Sequence, residues 1–118
     1  MSNHVFKHIN LTYLDNLVAG DIEFKKKIMG MFIEKTPAIV KSMQMFLEDE
    51  DWPSLKGIAH KFKSSVDFVG SKELAQSTIE LEKNCERANK PMIEKEVGEI
   101  DRLCKAVYEE LKIEIGNL

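Results

Sequence analysis

Residues 51–89 read DWPSLKGIAHKFKSSVDFVGSKELAQSTIELEKNCERAN, and the way this stretch divides decides the fold. Asp51 can cap a helix that tolerates Pro53 in its first turn, where a missing N–H costs nothing. That helix is expected over about Pro53–Val69. Gly70-Ser71 then forms a tight link, with Ser71 capping a further helix that ends near Asn89. Apolar residues recur at helical spacing on both sides of the link: Leu55, Ile58, Phe62, Val66 and Val69, then Leu74, Leu81, Cys85 and Ala88, with Thr78 on the same stripe. Two amphipathic helices joined by so short a link must run antiparallel.

The pattern extends outward in both directions. Upstream, a short helix is expected from about Thr12, its N-cap, to Ala19, with Gly20 as its stop. Asp21 can cap a long second helix whose inward stripe reads Phe24, Ile28, Met31, Phe32, Ile39, Met43, Phe46 and Leu47. Pro37 removes one backbone donor there, so a kink is expected, not a break, because the period resumes beyond it. Glu48-Asp49-Glu50-Asp51 reads as a turn. Downstream, Asn89-Lys90-Pro91 is the last turn signal, and a final helix continues to about Ile113 on the stripe Ile93, Val97, Ile100, Cys104, Val107 and Leu111. The expected fold is all-α: an antiparallel four-helix bundle with a short extra N-terminal helix capping one end.

Composition agrees. The 118 residues suit one domain over 1–118, with 43% hydrophobic residues to fill a core and 31% charged residues to coat helices. Net charge is −3, and the lysines are dispersed without a basic stripe, which argues against nucleic-acid binding. Cys85 and Cys104 stand alone on apolar stripes and read as buried hydrophobes in a reducing compartment. No apolar run approaches the ~20 residues of a membrane span. Met1 to Phe6 lack the charged-then-apolar pattern of a secretory signal. The expectation is a soluble, cytoplasmic monomer that does not engage membranes.

On the third helix successive side chains are separated by about 100°. With His60 at zero, its apolar residues fall between about 160° and 240°, so the histidine points away from the core. Lys56, Gly57, Lys63, Ser64 and Asp67 share its outer stripe. Lys63, one turn along, can bring its ammonium to a group attached to the imidazole. A phosphoryl group on nitrogen carries up to two negative charges, and such a cation would stabilise it. The small residues Gly57, Ser64 and Ser65 leave the ring clear for a partner. Across Gly70-Ser71, residues face each other when their numbers sum to about 141–142, which sets Glu82 opposite His60. A carboxylate accepting the Nδ1 proton would fix the tautomer and leave Nε2 as a nucleophile.

The run His60-Lys61-Phe62-Lys63-Ser64-Ser65, then Gly70, Leu74 and Leu81-Glu82, resembles the histidine-containing phosphotransfer (HPt) family, whose pattern is H-x-[LF]-K-G-[SA]-[SA]-x-x-x-G, a leucine, then L-E or L-Q. Asp51-Trp52, Leu55 and Ala59 add to the likeness, which is clearest over about Asp51–Glu86. The resemblance implies a four-helix bundle that takes a phosphoryl group from a receiver-domain aspartate and passes it reversibly to another receiver. It implies His60 as phosphoacceptor, Lys63 as phosphate-side cation and Glu82 as the orienting partner. It implies no cofactor of the chain's own, with Mg²⁺ on the receiver only, and no autonomous kinase activity. Docking is expected over Lys56, Gly57, Ala59, Ser64 and Asp67, with apolar help from Ile9, Leu11 and Leu14, which could equally seal the bundle end.

Three positions depart from the pattern. Ser64 replaces a usual glycine beside the imidazole. Val66 replaces a usual small residue, which would widen the gap between the third and fourth helices. Asp67 would repel a phosphate or an acidic partner rim and so could tune partner choice. Two rival readings predict different behaviour. A bare helical interaction module would be indifferent to His60→Gln. A di-iron bundle needs inward Glu-x-x-His pairs, whereas His60 faces out and His4 and His8 lie in the lead-in without spaced partners. No glycine-rich phosphate loop, G-x-S-x-G or HExxH motif suggests a kinase or hydrolase.

Overall fold

A computed structural model describes residues 6–118; residues 1–5 of the expected leader-free N-terminus, His4 among them, lie outside that range. Five helices follow in order: α1 (Thr12–Val18), α2 (Ile22–Glu48), α3 (Trp52–Val69), α4 (Lys72–Glu86) and α5 (Lys90–Asn117). No strand occurs among the described residues. Helices α2, α3 and α4 carry the caps the sequence predicts, and at α5 Asn89, expected only as part of a turn, caps as well. Asp21, Asp51, Ser71 and Asn89 each accept a backbone N–H from three residues on, at 3.0, 3.2, 3.2 and 3.4 Å. At α1 the expected cap, Thr12, is instead the first helical residue, and Asn10 Oδ1 accepts its N–H. Helix α2 runs unbroken through Pro37, whose ring faces solvent. Helix α4 stops three residues early because Ala88 turns left-handed, and α5 runs four residues past Ile113.

Helices α2 to α5 close a ring, each packing on the next and α5 returning to α2, while α1 lies across α2 and α3. The bundle is 45 Å long and about 20 Å across, near the width of paired helices in cross-section. At its centre Phe32 stacks on Phe62 and tilts against Tyr108, with ring centroids 6.1 Å apart in both pairs. The whole predicted stripe of α5 is buried.

The predicted stripe of α2 needs correction. Phe24 and Met31 are exposed, and the fully inward positions are Met29, Phe32, Thr36, Val40 and Met43, with Ile28, Ile39, Phe46 and Leu47 half-buried. This helix carries apolar residues over more than half its circumference, so periodicity alone could not choose the side that α5 covers. The inward face also contains Lys25. Its side chain is 8% exposed, with the ammonium 2.8 Å from Asp15 of α1 and 3.2 Å from the buried carboxylate of Glu114 of α5. Burial opposes its charge, but the two carboxylates outweigh burial and hold Lys25 above the ordinary lysine range. Its contribution to stability is therefore present below about pH 10.5 and lost as pH rises beyond that. Lys25→Met would leave Glu114 buried without its cation, and we expect a loss of about 3 kcal/mol in urea unfolding. Adding Glu114→Leu should restore most of it.

Ile9, Leu11 and Leu14 are buried, not exposed. Helix α1 turns Leu14 and Val18 onto α2 and α3, and the lead-in packs Ile9 and Leu11 beneath it, so these residues seal the bundle end and do not form a docking face. The lead-in is fastened by His8, which has a partner that local spacing did not show. Glu110 of α5 accepts the His8 backbone N–H at 2.8 Å and faces its Nδ1.

Candidate functional site

The α3–α4 hairpin fixes the register that sets the site. Gly70 ends α3 with φ +65°, and Ser71 starts α4 at once, so the two helices begin their antiparallel run with almost no slack. Ten residues back from Gly70, His60 projects outward with 69% of its side chain exposed. Leu55, Ala59, Phe62, Val66 and Val69 fill the core behind it. Ala59 is thus a packing residue and cannot touch a partner: at about 260° from His60 it falls on the buried side of the helix.

Glu82 stands opposite, as the hairpin sum requires. Its carboxylate has two occupants. Oε2 lies 3.1 Å from His60 Nδ1, and Oε1 lies 2.9 Å from the Lys63 ammonium. A carboxylate only accepts, so on a neutral ring the proton sits on Nδ1 and Nε2 holds its lone pair toward solvent. The Glu82 side chain is 14% exposed, and burial pushes its pKa up, but Lys63 and His60 more than reverse this and hold it below the usual carboxylate range. Lys63 is therefore committed to Glu82 in this state, a contact that spacing along α3 alone did not reveal.

A depressed carboxylate pKa contributes stability that is present above its unfolded value of 4.5 and lost as pH falls through the folded one. Glu82→Gln should therefore flatten the fall in unfolding free energy below pH 4.5, measured by denaturant titration across pH 3–6.

The same register pairs Lys56 with Glu86 at 2.6 Å, one turn from the His60–Glu82 pair. On the α4 side the histidine is thus bordered by ion pairs. On the α2 side the surface is mixed, with Ser54 and Lys61 beside apolar residues. Gly57 and Ile58 line a shallow hollow with Phe46, and farther along α3 Phe68 lines a groove of about 390 Å³ with Leu17, Phe24, Ile28 and Met31. Tyr13 of α1 tilts onto Phe68 at 6.0 Å, 53% exposed. Ser64 and Asp67 are exposed on the His60 stripe, as expected. Among the described residues no three His, Cys, Asp or Glu side chains converge as a metal-ligand set, and no helix is long and apolar enough to cross a membrane. Cys85 and Cys104 are free and buried, and burial raises their thiol pKa values to about 11 and about 12.

An outward imidazole with its tautomer fixed, a carboxylate behind it and a lysine beside it make a nucleophile suited to a dianionic group. Comparison with known proteins points the same way. The family model described as the Hpt domain matches residues 27–114. The crystal structure of histidine-containing phosphotransfer protein B (HptB) from Pseudomonas aeruginosa PAO1 is similar in fold, with a TM-score of 0.84 and 21% identity over 94% of this chain and 96% of that one. No curated protein matches the chain in sequence.

Proposed function

The chain belongs to the Hpt domain family, whose work is histidine phosphotransfer in two-component relays, and we propose on that premise that His60 is its phosphoacceptor, with Glu82 orienting the ring and Lys63 facing the phosphoryl group. The observation that carries this assignment is the double hold of Glu82 on His60 Nδ1 and Lys63, at 3.1 and 2.9 Å, beneath an imidazole left open to solvent.

In the transfer step the Nε2 lone pair attacks phosphorus in line with the P–O bond of a receiver's aspartyl phosphate. The N–P bond forms, the P–O bond breaks, and the aspartate leaves with the electron pair as a carboxylate. The ring keeps its Nδ1 proton and becomes cationic, and Glu82, already in place against that proton, stabilises the charge. Return to a second receiver reverses each bond change. Positioning and preset electrostatics are the protein's contribution. Divalent-cation chemistry belongs to the receiver, and the protein works as a cytoplasmic monomer.

Receiver domains are the partners of the family. For this chain we place their docking on the exposed stripe of Gly57, Ser64 and Asp67 and on the apolar groove of Leu17, Phe24 and Met31, in place of Ile9, Leu11 and Leu14. Phe24→Asp sets a charge on that exposed rim (Phe24 is 44% exposed), so the fold should survive. We expect receiver affinity to fall about tenfold or more by isothermal titration, with loading of His60 by a small phosphodonor unchanged.

The direct test is incubation with phosphorylated receiver domains while label is followed onto this chain. An adduct that is acid-labile and base-stable is expected. Absence of transfer from every cognate receiver would overturn the assignment.

A further inference from the structure

The charge around His60 does not balance once a phosphoryl group is attached, and the structure holds a cation poised to correct it. The attached group brings up to two negative charges beside the Glu82 carboxylate. The ring contributes one positive charge and Lys63 another, but Lys63 is already 2.9 Å from Glu82 and must be shared between carboxylate and phosphoryl. Lys56 lies four residues before His60 on the same face of α3, a spacing that brings side chains into contact along a helix. Its ammonium is 2.6 Å from Glu86, and both side chains are largely open, 43% and 60% exposed. Exposed pairs of this kind exchange readily, and a phosphoryl dianion is the stronger acceptor. Lys56 and Lys63 therefore flank His60 from the turns before and after it, each tethered to a glutamate of α4.

We propose that Lys56 is a second phosphoryl-binding cation, which leaves Glu86 for the phosphoryl group on His60 and returns to Glu86 when the group departs. This rests on His60 being the phosphoacceptor. Glu86 is the resting partner that keeps Lys56 ordered near the site, and it also competes with the phosphoryl group for it. Lys56 is kept charged chiefly by Glu86, with a smaller contribution from Glu82, so it already lies in the field of the carboxylate that holds His60.

The test uses the whole chain loaded with phosphoramidate, a donor too small to depend on receiver docking. Loading rate and the ³¹P shift of the phosphohistidine across pH are read for wild type, Lys56→Gln, Glu86→Gln and the double variant. In Lys56→Gln, loading should slow about threefold, and the second pKa of the phosphoryl group should rise by about 0.3–0.5 unit. Glu86→Gln should move both the opposite way by releasing Lys56, and the double variant should match Lys56→Gln alone. The proposal is overturned if Lys56→Gln loads and titrates as wild type does, or slows only receiver-dependent transfer, or if Glu86→Gln keeps its effect without Lys56. If wild type itself acquires no label on His60 from either donor, the phosphoacceptor assignment has failed instead.

Discussion

His60→Gln is expected to take up no acid-labile phosphoryl group from a phosphorylated receiver while folding as the wild type does. The two halves of that result have separate causes. The side chain is 69% exposed and its helix buries the opposite face, so removing the ring forfeits no core contact, and unfolding free energy should change by no more than about 0.5 kcal/mol. The chemical loss is complete because a glutamine amide nitrogen has its lone pair delocalised into the carbonyl and cannot attack phosphorus. Glutamine can still donate to Glu82, so the Glu82–Lys63 pair should persist and receiver docking should survive. A pull-down that retains the receiver while label transfer falls to background would separate binding from chemistry. The informative control is His8→Gln. His8 is engaged by Glu110 at the lead-in, and transfer should continue in its absence. Label persisting in His60→Gln as an acid-stable adduct would move the acceptor to a hydroxyl, with Ser64 the nearest on the stripe.

What could be read from the sequence was whatever a short link fixes. Gly70-Ser71 leaves so little slack that counting outward from it placed Glu82 against His60, and the same count pairs Lys56 with Glu86, as the structure does. The caps at Asp21, Asp51 and Ser71 are equally local and were equally legible, whereas Asn89 read only as a turn residue and proves to cap α5. What could not be read depends on partners distant in the chain. Lys25 meets Glu114 across 89 residues and His8 meets Glu110 across 102, and no spacing rule links residues so far apart. On α2 Phe32 and Met43 face inward as their spacing implies, but Phe24 and Met31 satisfy the period as well as Met29 and Val40, and only the packing of α5 chooses between them. Ile9, Leu11 and Leu14 pose the same problem: a short apolar segment can cover a core or present a surface, and here the lead-in and α1 cover. For that reason the proposed docking uses the exposed groove of Leu17, Phe24 and Met31 and not the buried Ile9, Leu11 and Leu14.

Gly57 lies inside α3 and Gly70 ends it, and substituting each with alanine should have opposite effects. At Gly57 a Cβ would meet nothing within 4 Å, and the residue lies inside α3, so Gly57→Ala removes backbone freedom from the unfolded chain without a clash. It should raise stability by about 0.5–1 kcal/mol. At Gly70 two penalties combine. The backbone sits at φ +65°, where an L side chain costs about 1–2 kcal/mol. In addition, an added Cβ would fall 2.0 Å from the backbone oxygen of Asn10, which cannot swing aside as a side-chain tip could. Relief requires the lead-in to move away, which breaks the hydrogen bond from Asn10 N to Val69 O at 2.9 Å and uncovers Ile9. Losing that burial adds about 1.5–3 kcal/mol, so Gly70→Ala should destabilise by about 4 kcal/mol in urea unfolding. Asparagine separates the two causes, because it tolerates the left-handed conformation better than alanine yet carries the same Cβ. Gly70→Asn should be nearly as damaging as Gly70→Ala. Recovery of most of the loss by asparagine would mean that the close approach of Asn10 is not what demands glycine in this hairpin.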